Sequence, residues 1–141
     1  MRPPSASSGP SGGGSESGVE RLINAAKKND VKRIVEEIKS GVDVNSRWGE
    51  YLVTALHFAA EYDHGGSVKV LLEARADIEA RNRIGGTPLM SAAWKGSNEA
   101  LKLLINAGAD REARTQEGFT ALILAAQEDN NEALKILLDA G

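Results

Sequence analysis

The chain has 141 residues, a formal net charge of −3, 41% hydrophobic and 26% charged residues, and no cysteine. That length makes one domain with a substantial core, and the balance of charge gives no basis for a fibrous protein or a strongly basic nucleic-acid binder. Disulfide and thiol chemistry are excluded; no stretch reaches the roughly 18 apolar residues of a membrane span or carries a signal peptide's apolar run, so a soluble, cytoplasmic or nuclear protein is expected.

Residues 1–18 are dominated by Ser, Gly and Pro. Such a stretch buries too little apolar surface to offset the entropy of ordering, and it reads as a disordered tail. From residue 19 onward a pattern returns. Glu20-Arg21-Leu22-Ile23-Asn24-Ala25-Ala26 opens a first amphipathic helix, and Ser40-Gly41-Val42-Asp43-Val44-Asn45 closes its unit. Thr54-Ala55-Leu56-His57-Phe58-Ala59-Ala60 opens the second unit and Leu71-Leu72-Glu73-Ala74-Arg75-Ala76-Asp77 closes it. In the third, Gly85-Gly86-Thr87-Pro88-Leu89-Met90-Ser91-Ala92-Ala93 precedes Leu104-Ile105-Asn106-Ala107-Gly108-Ala109-Asp110. The fourth runs from Thr120-Ala121-Leu122-Ile123-Leu124-Ala125-Ala126 to Leu137-Leu138-Asp139-Ala140-Gly141.

Thr54, Thr87 and Thr120 stand 33 positions apart, and the closing motif keeps the same phase. Each threonine can turn its hydroxyl onto the free N–H groups of a first helical turn, and Pro88 sits where its missing N–H costs nothing. Leu89, Ala92 and Ala93 fall at helical spacing, as do Leu101, Leu104 and Ile105, so each unit offers two short amphipathic helices. Neither buries its face alone. Stacked units bury a continuous core, which makes the chain a solenoid.

On its Thr-Pro-Leu and Gly-Ala-Asp motifs, residues 87–89 and 108–110, the chain resembles an ankyrin-repeat protein over roughly residues 19–141. The resemblance implies an all-α repeat solenoid of about four ankyrin repeats, each two antiparallel helices with a β-hairpin finger. Their approximate bounds are 19–47, 48–81, 82–114 and 115–141. The first is a degenerate N-terminal cap, with Glu20 and Arg21 replacing the Thr-Pro start. Its charges, Lys27, Lys28, Lys32, Arg33, Glu36 and Glu37, are expected on a solvated face. The C-terminus is uncapped: Leu134, Leu137 and Leu138 remain apolar on the face a fifth repeat would cover, so a longer chain or an oligomer stays open.

The first finger carries one extra residue within Arg47–Val53 and has Leu52 where Gly85 and Gly118 stand. Gly49 is therefore expected to supply its turn, because φ > 0 is cheap only for glycine. The family's left-handed glycine between helices corresponds to Asn29, Asp63, Gly96 and Asp129. Asp30, Ser97 and Asn130 are expected to cap the second helices, and Ser67 to cap late, leaving the helix after it shorter.

Enzymatic constellations are absent. There is no Cys nucleophile and no Gly-x-Ser-x-Gly elbow, and Gly85-Gly86-Thr87 lacks the lysine of a phosphate-binding loop. His57 and His64, near Glu61 and Asp63, are read as structural rather than metal-binding, His57 resembling the family histidine that bonds the adjoining finger backbone. No cofactor is expected.

By the resemblance, the finger tips and first-helix ends line a concave face that holds partners. The matching positions are Glu50, Tyr51 and Val53 with Glu61 and Tyr62; Arg83, Ile84 and Gly86 with Trp94 and Lys95; Gln116, Glu117 and Phe119 with Gln127 and Glu128. The finger base adds Arg47, Arg81 and Arg114. Of six aromatic residues, Trp48, Tyr51, Tyr62, Trp94 and Phe119 map to this face, and Trp, Tyr and Arg are the side chains most enriched at binding hot spots. The arginines could hold an extended acidic segment, or be neutralised by Glu79, Glu112, Glu61 and Glu128. The expected function is a non-catalytic protein-interaction module with Trp94 as anchor. The alternatives are nucleotide or short single-stranded nucleic-acid binding through Trp94, Lys95, Tyr62 and Arg83, and a regulatory or targeting segment of a longer enzyme or channel.

Overall fold

A computed structural model describes residues 16–141. Most of the Ser/Gly/Pro-rich tail lies outside the described residues. The tail's predicted end does not hold, because Ser17 and Gly18 already belong to the first helix and its cap.

Four helix pairs follow in chain order: α1 Gly18–Lys27 and α2 Val31–Lys39, α3 Ala55–Glu61 and α4 Gly65–Glu73, α5 Pro88–Lys95 and α6 Asn98–Asn106, α7 Ala121–Gln127 and α8 Asn131–Ala140. Among the described residues there is no strand, only an isolated antiparallel bridge between Trp48 and Val53. The odd-numbered helices pack on one another as an inner layer and the even-numbered ones as an outer layer, with each pair joining the two. This is the two-layer repeat solenoid that the 33-residue period demands.

Inner helices start where hydroxyls meet free N–H groups. Thr54, Thr87 and Thr120 accept from the backbone N–H of His57, Met90 and Ile123, and Ser17 does the same for Glu20. Pro88 occupies the first turn of α5. The alanine pairs are fully or nearly fully buried: Ala25 and Ala26, Ala59 and Ala60, Ala92 and Ala93. Their small volume lets inner helices approach, while Leu22, Leu56, Phe58, Leu89 and Leu124 of the inner layer are buried in one core with Ile34, Leu71, Leu101, Leu104 and Leu137 of the outer layer. Each such side chain removed from water contributes about 1.5–3 kcal/mol.

The left-handed residues fall where expected: Asn29, Asp63, Gly96 and Asp129 have φ of 57°, 58°, 70° and 56°. The first finger differs from its prediction. Gly49 does turn the chain at φ 79°, but Leu52 also takes a left-handed φ of 56° and is 40% exposed. The Trp48–Val53 bridge, closed by both backbone hydrogen bonds at 2.9 and 3.0 Å, spans one residue more than the Asn82–Gly86 and Thr115–Phe119 closures. The longer loop needs a second reversal, and Leu52 bears it.

Outer-helix capping also departs from expectation. Asp30 caps its own helix through the Arg33 N–H at 3.1 Å, but Ser97 and Asn130 make no cap of their own. Instead, side chains at this position reach back one repeat. His64 donates from Nε2 to the Lys27 carbonyl at 2.9 Å, Ser97 Oγ to the Glu61 carbonyl at 2.6 Å, and Asn130 Nδ2 to the Ala93 and Trp94 carbonyls at 2.9 and 2.7 Å. In return, left-handed residues cap the outer helix of the following repeat: Asn29 Oδ1 accepts from the Ser67 N–H and hydroxyl, and Asp63 Oδ1 from the Ala100 N–H. Ser67 is therefore a buried residue inside α4, and that helix keeps nine residues, as many as α6.

Glu36 is exposed as expected, but Glu37 is buried. It meets Arg21 Nε at 3.1 Å and Arg33 Nη1 at 3.6 Å, one turn away on its own helix. The carboxylate survives burial because two guanidinium groups hold it.

Candidate functional site

Three fingers stack along one edge of the inner layer. The Arg83 N–H donates to the Tyr51 carbonyl at 2.8 Å, and the Gln116 N–H to the Ile84 carbonyl at 3.1 Å, so each tip is tied to its neighbour. His57 fixes the base of this arrangement. Its Nδ1 accepts from the Thr54 N–H at 3.2 Å and lies 2.9 Å from the Thr54 hydroxyl, while Nε2–H donates to the Gly86 carbonyl of the next finger at 2.9 Å. This matches the family histidine that the resemblance implied. Full burial pushes the His57 pKa down from 6.5 to about 4, with nearby Arg47 adding to the effect and the Gly86 hydrogen bond opposing it. A second proton would have to go on Nδ1, facing the Thr54 N–H.

The four finger arginines are exposed, and Arg81, Arg83 and Arg114 are engaged with carbonyls. Arg81 Nη1 donates to the Gly85 carbonyl at 2.9 Å and to the Arg114 carbonyl, one repeat on, at 2.6 Å. Arg114 Nη1 reaches the Gly118 carbonyl at 3.2 Å, and Arg83 Nη1 the Glu50 carbonyl at 3.1 Å. Among the described residues, none of these three, nor Arg47, forms a salt bridge. Of the two alternatives for the ladder, what holds Arg81, Arg83 and Arg114 in place is carbonyl oxygens. Glu79 instead accepts the Asp110 N–H at 2.7 Å.

The five aromatic residues predicted for the face are all half-buried, with one side packed on the core. They do not form one cluster. Trp48 meets Phe58 edge-on at 6.0 Å, Phe58 stacks on Tyr62 at 6.5 Å, and Tyr62 lies 6.0 Å from the His64 ring. Into this cluster comes Lys27, which sequence reasoning had left on a solvated face. Its Nζ lies 4.6 Å from the Trp48 ring centre and 4.8 Å from that of Phe58. Burial lowers its pKa, opposed by the charges of Glu61 and Glu20. The signal available in the sequence was position, since Lys27 closes α1 one repeat before Glu61 closes α3.

Trp94 stands apart, making no ring–ring contact with these residues. Lys95 Nζ lies 5.5 Å over its ring, and its indole N–H is buried without a hydrogen-bond acceptor among the described residues. Its backbone carbonyl is held by Asn130. Phe119 and Tyr51 sit on the outer two fingers and do not join Trp94. Among the described residues no group of three His, Cys, Asp or Glu side chains could hold a metal ion, and no helix is long and apolar enough to cross a membrane.

Two family descriptions match the chain: "Ankyrin repeats (3 copies)" over residues 77–141 and "Ankyrin repeats (many copies)" over residues 38–89. Mouse Ankyrin repeat domain-containing protein 40 is 39% identical over 70 residues, covering 50% of this chain and 19% of that protein. Human Neurogenic locus notch homolog protein 1 is 35% identical over 83 residues, 58% of this chain and 3% of that one. The Arabidopsis thaliana E3 ubiquitin-protein ligase XBAT32 is 37% identical over 82 residues, 55% of this chain and 15% of its own. The chain thus spans less than a fifth of each relative's length.

Proposed function

Because the chain belongs to the ankyrin-repeat family, whose modules generally mediate protein–protein contacts, we propose that it holds a segment of a partner protein on the concave face formed by its fingers and inner-helix ends, without catalysis. The observation that carries this reading is Trp94, half-buried on the third inner helix and, among the described residues, with neither a ring partner nor an acceptor for its indole N–H. A tryptophan recruited only for packing finds such partners, and a buried donor left without one costs about 1–3 kcal/mol. Trp94 is the anchor, with the Lys95 ammonium over its ring; Tyr62 and Tyr51 add separate contacts on the preceding unit, and the arginine row adds charge.

Nucleotide binding is the weaker reading. The ring face on which a base would stack is shared with the Lys95 ammonium, and the net charge is acidic. The matched relatives are far longer proteins, one of them a ubiquitin ligase, which supports a targeting role for this module within a larger chain.

Trp94→Ala tests the reading. Partner affinity is expected to fall at least 30-fold, equivalent to about 2 kcal/mol, with the fold retained and the melting temperature lowered by the packing lost on one side of the ring. Equal affinity, or a collapsed fold, assigns Trp94 to packing.

A further inference from the structure

Arg47, Arg81 and Arg114 occupy the same place in three successive units, 34 and 33 residues apart. All three are exposed, and none is paired with a carboxylate among the described residues. Carbonyl hydrogen bonds hold Arg81 and Arg114 in place without neutralising them. Each of these two guanidinium groups keeps further N–H donors for a ligand, and the ordering that a flexible arginine would lose on binding is already spent. Among the described residues Arg47 makes no hydrogen bond or ion pair.

The spacing of the row selects what can lie along it. Successive inner helices are packed neighbours, and packed helices stand about 8–10 Å apart. A polyproline II segment rises about 3.1 Å per residue with three residues per turn, so every third side chain returns to the same side after about 9 Å. A β-strand returns a side chain to one face at about 7 or 13 Å, which misses the rungs. Aromatic-lined grooves also favour polyproline II ligands, and the half-buried Trp48 directly follows Arg47 in the chain. Exposed Glu50 and Glu117 at the first and third finger tips repel a continuous polyanion. They tolerate a chain whose charges come only at the rungs.

Resting on the protein-recognition reading above, we propose that the finger arginines receive an acidic partner segment in polyproline II conformation, with Asp or Glu at every third position facing Arg47, Arg81 and Arg114. Carboxylate–guanidinium pairing supplies the register, and the aromatic groups supply the apolar contact.

Fluorescence polarisation with the full chain tests this. The probe is a labelled proline-rich peptide with Glu at its first, fourth and seventh positions. The comparison peptides have the same composition with the three Glu consecutive, or carry Gln in their place. The spaced peptide is expected to bind at least fivefold more tightly than either, more weakly at high salt, and at least fivefold more weakly to Arg47→Gln. Arg47→Gln removes no hydrogen bond among the described residues, so its melting temperature is expected to match the parent's. Equal binding of all three peptides overturns the proposal, as does tighter binding of a short single-stranded oligonucleotide. Spaced-peptide binding that depends on Arg47 but not on Trp94 supports the proposal and removes the tryptophan anchor. Trp94-dependent binding of neutral apolar peptides, with no preference for the acidic one, leaves the recognition reading standing and overturns this proposal.

Discussion

Acid loads a proton onto His57 in the unfolded chain well before the folded chain accepts one. The ordinary imidazole value is 6.5 and the folded value about 4, so between them the unfolded state binds more protons and stability falls as pH falls. The contribution is fully present above about pH 6.5 and is lost progressively down to about pH 4; a gap of about 2.5 units corresponds to about 3 kcal/mol, of which about 2 kcal/mol is gone by about pH 5. The cause is local. Nε2–H already donates to the Gly86 carbonyl, and Nδ1 faces the Thr54 N–H, so the imidazolium form would set two hydrogens against each other in a buried site. Urea denaturation followed by circular dichroism, at steps from about pH 7 to about pH 4.5, measures the slope; His57→Gln, which cannot titrate, is the reference. Other ionisable groups are common to both chains and cancel in the difference. The difference in unfolding free energy is expected to shrink by about 2 kcal/mol on going from about pH 7 to about pH 5. Parallel profiles for the two chains would refute a neutral, wedged His57.

Three further outcomes follow from the same contacts. Asp63→Asn keeps both the left-handed backbone and an oxygen for the Ala100 N–H, and is expected to unfold within about 0.5 kcal/mol of the parent, whereas Asp63→Ala loses the cap and strains the turn, costing about 2 kcal/mol in urea titrations. Leu52→Gly relieves a left-handed leucine by about 1–2 kcal/mol and forfeits about 0.5–1 kcal/mol of chain entropy; a rise of a few degrees in Tm is expected, and Leu52→Val, β-branched at the same φ, is expected to lower it. The Trp94→Ala and Arg47→Gln variants complete the set: both are expected to weaken partner binding, Arg47→Gln with thermal melting nearly untouched and Trp94→Ala with a lower Tm but the fold retained.

What the sequence disclosed and what it hid separate along one physical line. Helix starts, alanine seams and left-handed turns were legible because each is a local requirement repeated in phase: Thr87 caps within its own first turn, and Asp129 takes φ > 0 because the chain reverses there. His57 was legible through the same repetition. The outer-helix caps were not, because their partners sit 36 to 38 residues away, one repeat plus a turn, where a rule about neighbouring residues does not look. The signal was a polar side chain recurring at both the left-handed and the following position. Glu37 was misplaced on the surface although Arg33, four residues before it, was already a helical ion-pair partner. Lys27 read as one more charge in a charged helix until Trp48 and Phe58 were seen beneath it.

Capping across the repeat boundary also bears on the candidate face. A helix that satisfies its own end can form or fray alone, but α4 and α6 take their caps from the preceding units, through Asn29 and Asp63. Each of these caps is worth about 1 kcal/mol only while the neighbouring unit is folded, so the terms couple units rather than stabilise them singly. At the third boundary Gly96 has no side chain to offer α8, and the Asn130 amide would crowd any that did, at about 3.1 Å from an added Cβ. Coupling there runs the other way, through the two bonds from Asn130 to the carbonyls of Ala93 and Trp94. The residue that ties the fourth unit to the third therefore also fixes the backbone under the candidate anchor. A partner that grips Trp94 meets a tryptophan whose position is set by the folding of the repeat behind it, and loosening α8 by Asn130→Ala is a route to weaker binding that touches no surface the partner sees.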